Sequence, residues 1–276
     1  MKRLLLLTLG LTMICGAKAQ EEKLEIKPSG RILLDGGLFK ADGQDDKFND
    51  GFAIPDMRVG FSASYGAWKA KVDMGYAYGK VNMKDVFVQY NFDKEAADFL
   101  RAGYFIHQFG LQSATSSSFK ISMEEPASNQ AFNNSRMIGL MYQHTRSKFL
   151  GTLSFFTESD AMKMTSDKLG NQGVGMMTRL VYKPLCEPGK IFHVGLSGAF
   201  ETPRYSSDKE LNHHSYTLST TFPTRIAKVV AQEAVIDNAK MLYKFTPELT
   251  AAIGRVGLET PVSYTHLRAH ETSLHL

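Results

Sequence analysis

Cysteine is nearly missing from this chain: Cys15 and Cys186 are the only two among 276 residues. Cys15 falls inside an N-terminal leader, so the exported chain keeps one thiol, which excludes a module held together by disulfides within one chain. Beyond the leader no stretch carries the roughly 18 consecutive apolar residues of a membrane helix. If the chain crosses a bilayer, it does so with strands. Charge of one sign is also scarce, since 32 Lys and Arg face 28 Asp and Glu for a formal net charge of +4. There is no basic run of the kind that tracks a phosphate backbone, so nucleic acid is not expected as a partner.

Catalytic signatures are absent as well. The G-x-S-x-G turn that exposes a hydrolase serine does not occur, and His107, His144, His193, His213 and His214 stand in no motif. His213 and His214 open an expected strand beside an acidic loop and read as a surface pair, not as metal ligands. No enzyme, no metal site and no cofactor are expected.

What is present begins with the leader. Lys2 and Arg3 precede the apolar run LLLLTLGLTMI, and Ala17-Lys18-Ala19 supplies small residues for cleavage. Residues 1–19 therefore read as a secretory signal peptide, too short to span a membrane. Ile14 precedes Cys15 where a lipoprotein signal carries a small residue, which argues against a lipid anchor.

From Leu24 to Phe222 the chain alternates. WKAKVDMGYAYG places Trp68, Ala70, Val72, Met74, Tyr76 and Tyr78 on one parity and Lys69, Lys71, Asp73, Gly75, Ala77 and Gly79 on the other. Side chains of a strand alternate between its faces, so one face is apolar and the other charged or bare. The clearest runs are 24–39, 52–65, 68–79, 81–92, 99–109, 136–145, 149–157, 173–183, 190–201 and 213–222, with weaker ones at 226–236 and 240–258. Their lengths lie near the ~9 to 11 residues that a tilted strand needs to cross a bilayer. Gly66-Ala67 and Gly79-Lys80 are short joins, whereas 40–51, 110–135, 158–172 and 202–212 are long and polar. Short turns at one end and long loops at the other suit an antiparallel transmembrane β-barrel of the outer membrane. A secreted sandwich also alternates, but its outer face would not be so rich in Gly, Ser and Ala.

At NMKDVFVQYNF, LRAGYFIHQFGLQSATSSSF and EEPASNQAFNNSRMIGLMY the chain resembles the phosphate-selective porin O and P family. The resemblance runs from about Gly30 to Thr260 and is densest over 82–142. Where that family carries a turn lysine, a proline and the arginine of a Glu-Arg pair, this chain has Ile106, Gln108 and Glu125. The resemblance implies a sixteen-stranded, homotrimeric barrel with a loop folded inward and basic residues at the constriction. Here the loop would be Leu111 to Asn134, with Ser116, Ser117, Ser118, Glu124 and Glu125 at the constriction and Lys120 adding a cation.

Parity supplies the remaining lining. Arg58, Lys69, Lys71, Arg101 and Arg179 lie opposite the apolar residues of their strands, as do Asp56, Asp73 and Asp85. Facing lipid near the midplane, such a cation would cost ~2 to 4 kcal/mol, so these are expected to face the lumen and to bind anions. Trp68, Tyr76, Tyr78, Tyr90, Phe92 and Phe200 are candidates for interfacial aromatic girdles.

The last stretch, VSYTHLRAHET from Val262 to Thr272 and the SLHL after it, looks like a translated sequencing adapter. Residues 262–276 are accordingly expected to be an artefact that replaces further strands, leaving 20–261 as a partial barrel of about ten to twelve strands. The expected function is a water-filled outer-membrane channel for small hydrophilic solutes, anions preferred. The alternative is a non-channel secreted or surface β-protein that binds a glycan or a protein partner.

Overall fold

The structure, a computed structural model, describes residues 23–40, 43, 47–93, 95, 97–116, 124–132, 135–157, 172–202, 216–222, 224–227, 229–236, 239–261 and 264–269. The leader expected at 1–19 lies outside them. Most of the described chain is strand: β1 (Glu25–Gly37), β2 (Gly51–Tyr65), β3 (Trp68–Ala77), β4 (Lys80–Asn91), β5 (Phe99–Phe105), β6 (Met137–Arg146), β7 (Phe149–Thr157), β8 (Val174–Glu187) and β9 (Lys190–Glu201) follow one another. Then come β10 (Tyr216–Thr221), β11 (Val230–Ile236), β12 (Ala239–Ile253), β13 (Val256–Pro261) and β14 (Tyr264–Ala269). Two short helices, α1 (Gly110–Ala114) and α2 (Ala127–Phe132), lie between β5 and β6.

Strands β1 to β9 pair in sequence order, each antiparallel to the next, and β12 follows β9. β13 and β14 pair the two halves of β12, Ile253 to Glu248 and Phe245 to Ala239, so together they occupy one row. Neighbours in sequence are neighbours in space because two-residue hairpins suffice to join antiparallel strands. At 188–189 and 254–255 such turns are made possible by Gly189 and Gly254, whose φ values of 76° and 60° are open to glycine. The joins at 66–67, 92–98, 147–148, 188–189 and 254–255 share one end of the sheet, and the long segments 38–50, 106–136 and 202–238 leave the other.

Two expectations need correction. The run at 213–222 and the weaker one near 226–236 are not wall strands; they fold on each other as β10 and β11, a separate two-stranded sheet. The run at 240–258 is broken by the Gly254-Arg255 turn, so β12 and β13 are separate strands. Among the described residues fourteen strands result, eleven rows of them in the main sheet, and alternation alone could not show which alternating segments leave the wall. Among the described residues β1 and the β13–β14 row are the sheet's two edges. A bilayer requires such edges to be paired, because their N–H and C=O groups find no partner in hydrocarbon.

The distribution of side chains is inverted relative to a soluble domain. One face carries exposed Met57, Val59, Phe61, Val72, Met74, Leu153, Phe155, Leu180, Leu196 and Phe245. The opposite face buries Asp56, Asp73, Gln89, Arg179, Lys244 and Glu248. At the short-turn end, Trp68 packs edge-on against Tyr90 at 5.0 Å, Tyr90 against Phe92 at 5.2 Å, and Phe149 lies 4.9 Å from Tyr182. Rings with one apolar and one wet side form such a belt at the height of lipid headgroups. Tyr78, expected among them, instead donates its hydroxyl to the Arg225 carbonyl at 2.8 Å.

Candidate functional site: a charged lumen under an inward fold

The segment after β5 turns inward and crosses to the far wall. Gln108 donates to Gln143 at 3.1 Å and accepts from Arg179 at 3.3 Å, and the Gly110 amide donates to Ser197 Oγ on β9 at 2.9 Å. Phe109 is buried among Met137, Phe156, Met177 and Ala199, an apolar foothold inside an otherwise polar face. His107 lies under it, fully buried, with its ring stacked 4.2 Å from Phe105 and its Nε2 3.3 Å from the Met137 carbonyl. A Cβ on Gly139 would stand 2.7 Å from the His107 ring, so this position on β6 has to be glycine for the imidazole to lie flat.

His107 sits outside the spanning strands, and burial pushes its imidazole down to about 4. The unfolded chain takes up that proton near pH 6.5, so stability is complete above this value and is lost as pH falls toward 4. The loss is on the order of 3 kcal/mol by linkage. His107→Phe, which holds no proton but fills an aromatic site, is expected to show a flatter dependence, read as the temperature at which the compact band is lost on gels between pH 7 and pH 4.

A second segment reaches inward from the other side. Arg225, beyond β10, donates to Glu124 Oε1 at 3.0 Å, while Gln130 of α2 accepts from the Thr221 amide at 2.7 Å and from its hydroxyl at 3.0 Å. These two inward segments and strands β1 to β5 line an open cavity of about 800 Å³. Its lining includes seven cations, Arg31, Arg58, Lys71, Lys84, Arg101, Arg136 and Arg225, against five carboxylates, Asp56, Asp73, Asp85, Glu124 and Glu125.

Most of these charges are tied to each other. Arg31 and Arg58 both grip Asp56, their Nε atoms donating at 3.0 and 2.9 Å. Lys71 stands 2.6 Å from Asp73 and 3.5 Å from Asp85, and Arg136 holds Asp85 at 2.7 Å. Arg101 is fixed differently. Its guanidinium donates twice to Gln89, at 2.9 and 2.7 Å, and lies 4.2 to 5.4 Å from the rings of Phe87, Phe99 and Phe105. The stacking leaves an Arg in one rotamer at little entropic cost when an anion arrives.

Of the residues singled out from sequence, Arg58, Lys71, Arg101, Ser116, Glu124 and Glu125 line this cavity together. Lys69 shares the inner face of β3 but sits beyond the cavity, in register with Gln89 and through it with Arg101. Arg179 lies elsewhere on that face, buried and paired with Glu248 at 2.7 Å. Ser117, Ser118 and Lys120 are outside the described residues. Sequence reading missed Arg31, Arg136, Arg225 and Lys84. Arg31 carries the inward parity of β1 and was legible; Arg136 and Arg225 lie outside the strands, where parity says nothing.

The sequence profile of the family described as "Phosphate-selective porin O and P" matches residues 26–269. The chain belongs to that family. It is an outer-membrane porin, a β-barrel channel protein of a family that is not one of enzymes. The match covers the inward fold and the charged face together, and it reaches β14. No curated protein matches the chain significantly.

Proposed function

We propose that this porin passes small hydrophilic solutes by passive diffusion and prefers anions, inorganic phosphate among them. The excess of cations over carboxylates around the cavity carries this reading. Fixed cations on low-dielectric walls focus a positive potential and raise the local concentration of anions without any chemistry on the solute. Arg58, Lys71 and Arg101 act inside the cavity, Lys69 and Arg179 extend the positive face, and Lys120 is assigned to the same role on the inward loop. Outer-membrane lipid covers the apolar face, and the working assembly is a homotrimer. Export uses a leader cleaved after Ala19, which the mass of the exported protein checks.

The selectivity is tested with full-length protein in planar bilayers under a tenfold salt gradient. A reversal potential of the sign set by anion flow is expected. Equal permeability of both ions would overturn the anion preference while leaving the channel in place.

A further inference from the structure

We infer that Lys84, re-aimed by a β-bulge, is a residue that sets the charge selectivity of the lumen; this rests on the anion-preferring reading above. Strands β3 and β4 pair Val72 with Val86 but Met74 with Met83, so Lys84 and Asp85 together oppose the single residue Asp73. A bulge of this kind turns two consecutive side chains to one face. Before it, Asn82 and Lys84 point inward; after it, Asp85, Phe87 and Gln89 do, and both Lys84 and Asp85 line the cavity. The apolar parity slips at the same place, from Val81 and Met83 to Val86 and Val88.

What separates Lys84 from the five ion-paired cations is its lack of a carboxylate partner; Arg101 also has none, but its guanidinium is fixed by Gln89 and three aromatic rings. Arg31 and Arg58 share Asp56, Lys71 and Arg136 share Asp85, and Arg225 holds Glu124. Lys84 makes no ion pair or hydrogen bond with the described residues. Its stem lies over Gly75, where a built Cβ would fall 2.3 Å from Lys84 Cε, so glycine opposite the bulge lets the side chain lie along the wall. Arg31, Arg58 and Arg136 line the same cavity as Lys84, with Asp56, Asp73 and Asp85 engaged by other cations. A neutralised pair presents a dipole whose field dies away within the lumen, whereas an unpaired ammonium presents a full charge. An ammonium is also a point charge without the planar fork of guanidinium, so it selects by charge and not by the shape of the anion.

The test uses the whole protein in planar bilayers. Wild type, Lys84→Met, Lys84→Arg and Lys71→Met are compared by reversal potential in a potassium chloride gradient. Lys84→Met is expected to lower the anion-to-cation permeability ratio about tenfold, since one charge acting across roughly 6 Å of water weighs about threefold on each ion and in opposite directions. Lys84→Arg keeps the ratio, and Lys71→Met changes it less than Lys84→Met does. If the methionine variant fails to insert, Lys84→Cys in a Cys186→Ser background serves instead; the second change removes the exposed native thiol. A cationic thiol reagent then restores anion preference and an anionic one abolishes it. An anion-selective wild type unmoved by loss of Lys84 overturns this assignment alone. A wild type without anion preference overturns the underlying reading and the assignment with it.

Discussion

Replacing Glu248 by leucine is expected to destabilise the folded barrel by about 3 to 5 kcal/mol, the cost of leaving a buried charge without its partner. Glu248 on β12 receives two hydrogen bonds from Arg179 on β8, at 2.7 and 3.2 Å, and both side chains are almost fully buried. The pair reaches across β9 at Gly195, where a Cβ would fall 2.8 Å from Glu248 Cγ. Three wall strands are therefore held by one ion pair and one missing side chain. Combining Glu248→Leu with Arg179→Met removes both charges and is expected to recover most of the loss, since it is the orphaned charge that costs and not the absence of the pair. Gly195→Ala leaves both charges in place but forces Glu248 to move, so it too is destabilising. The temperature at which the compact band disappears on gels measures all three variants. Equal damage from the single and the double substitution would show that packing, not charge, governs this site.

Leu180→Arg carries the second large expected effect, about 2 to 4 kcal/mol against insertion if the residue meets the bilayer near its midplane. Leu180 lies mid-strand in β8 and is 59% exposed, on the same face as Leu196 and Phe155. The same substitution on the surface of a soluble β-protein would fall within about 0.5 kcal/mol of neutral. Folding into lipid vesicles therefore separates the barrel from a secreted β-protein that binds a glycan or a protein partner. A wild-type yield of folded Leu180→Arg would count against a lipid-facing wall at this position.

The pH dependence assigned to His107 has the opposite origin to that of most carboxylates. A paired carboxylate is stabilised charged, whereas His107 is stabilised neutral, because burial outweighs the one contact of Nε2 with the Met137 carbonyl and Nδ1 has no hydrogen-bond partner among the described residues. Acid therefore loosens the base of the inward fold.

Much of this architecture was legible in the chain itself. Alternation placed the wall strands from β1 to β9 because a period of two is a local property, and a strand with lipid on one side and water on the other has to display it. The same parity put Arg58, Lys71 and Arg101 on one face. It failed at 213–222 and 226–236, since two strands pairing only with each other alternate like two strands of the wall.

The composition of each face was thus determined by sequence alone: apolar outward, charged and small inward, with no cysteine pair or long apolar run to suggest otherwise. Only the tertiary structure decided which charges neutralise one another. Arg179 meets Glu248 across 69 positions of sequence, Arg31 meets Asp56 across 25, and Arg225 meets Glu124 across 101. Those encounters depend on register, on a bulge that turns Lys84 and Asp85 to the same side, and on where two loops fold. The field inside a lumen is a sum over such distances, and a linear pattern of residue types holds the signs of the charges but not the separations between them.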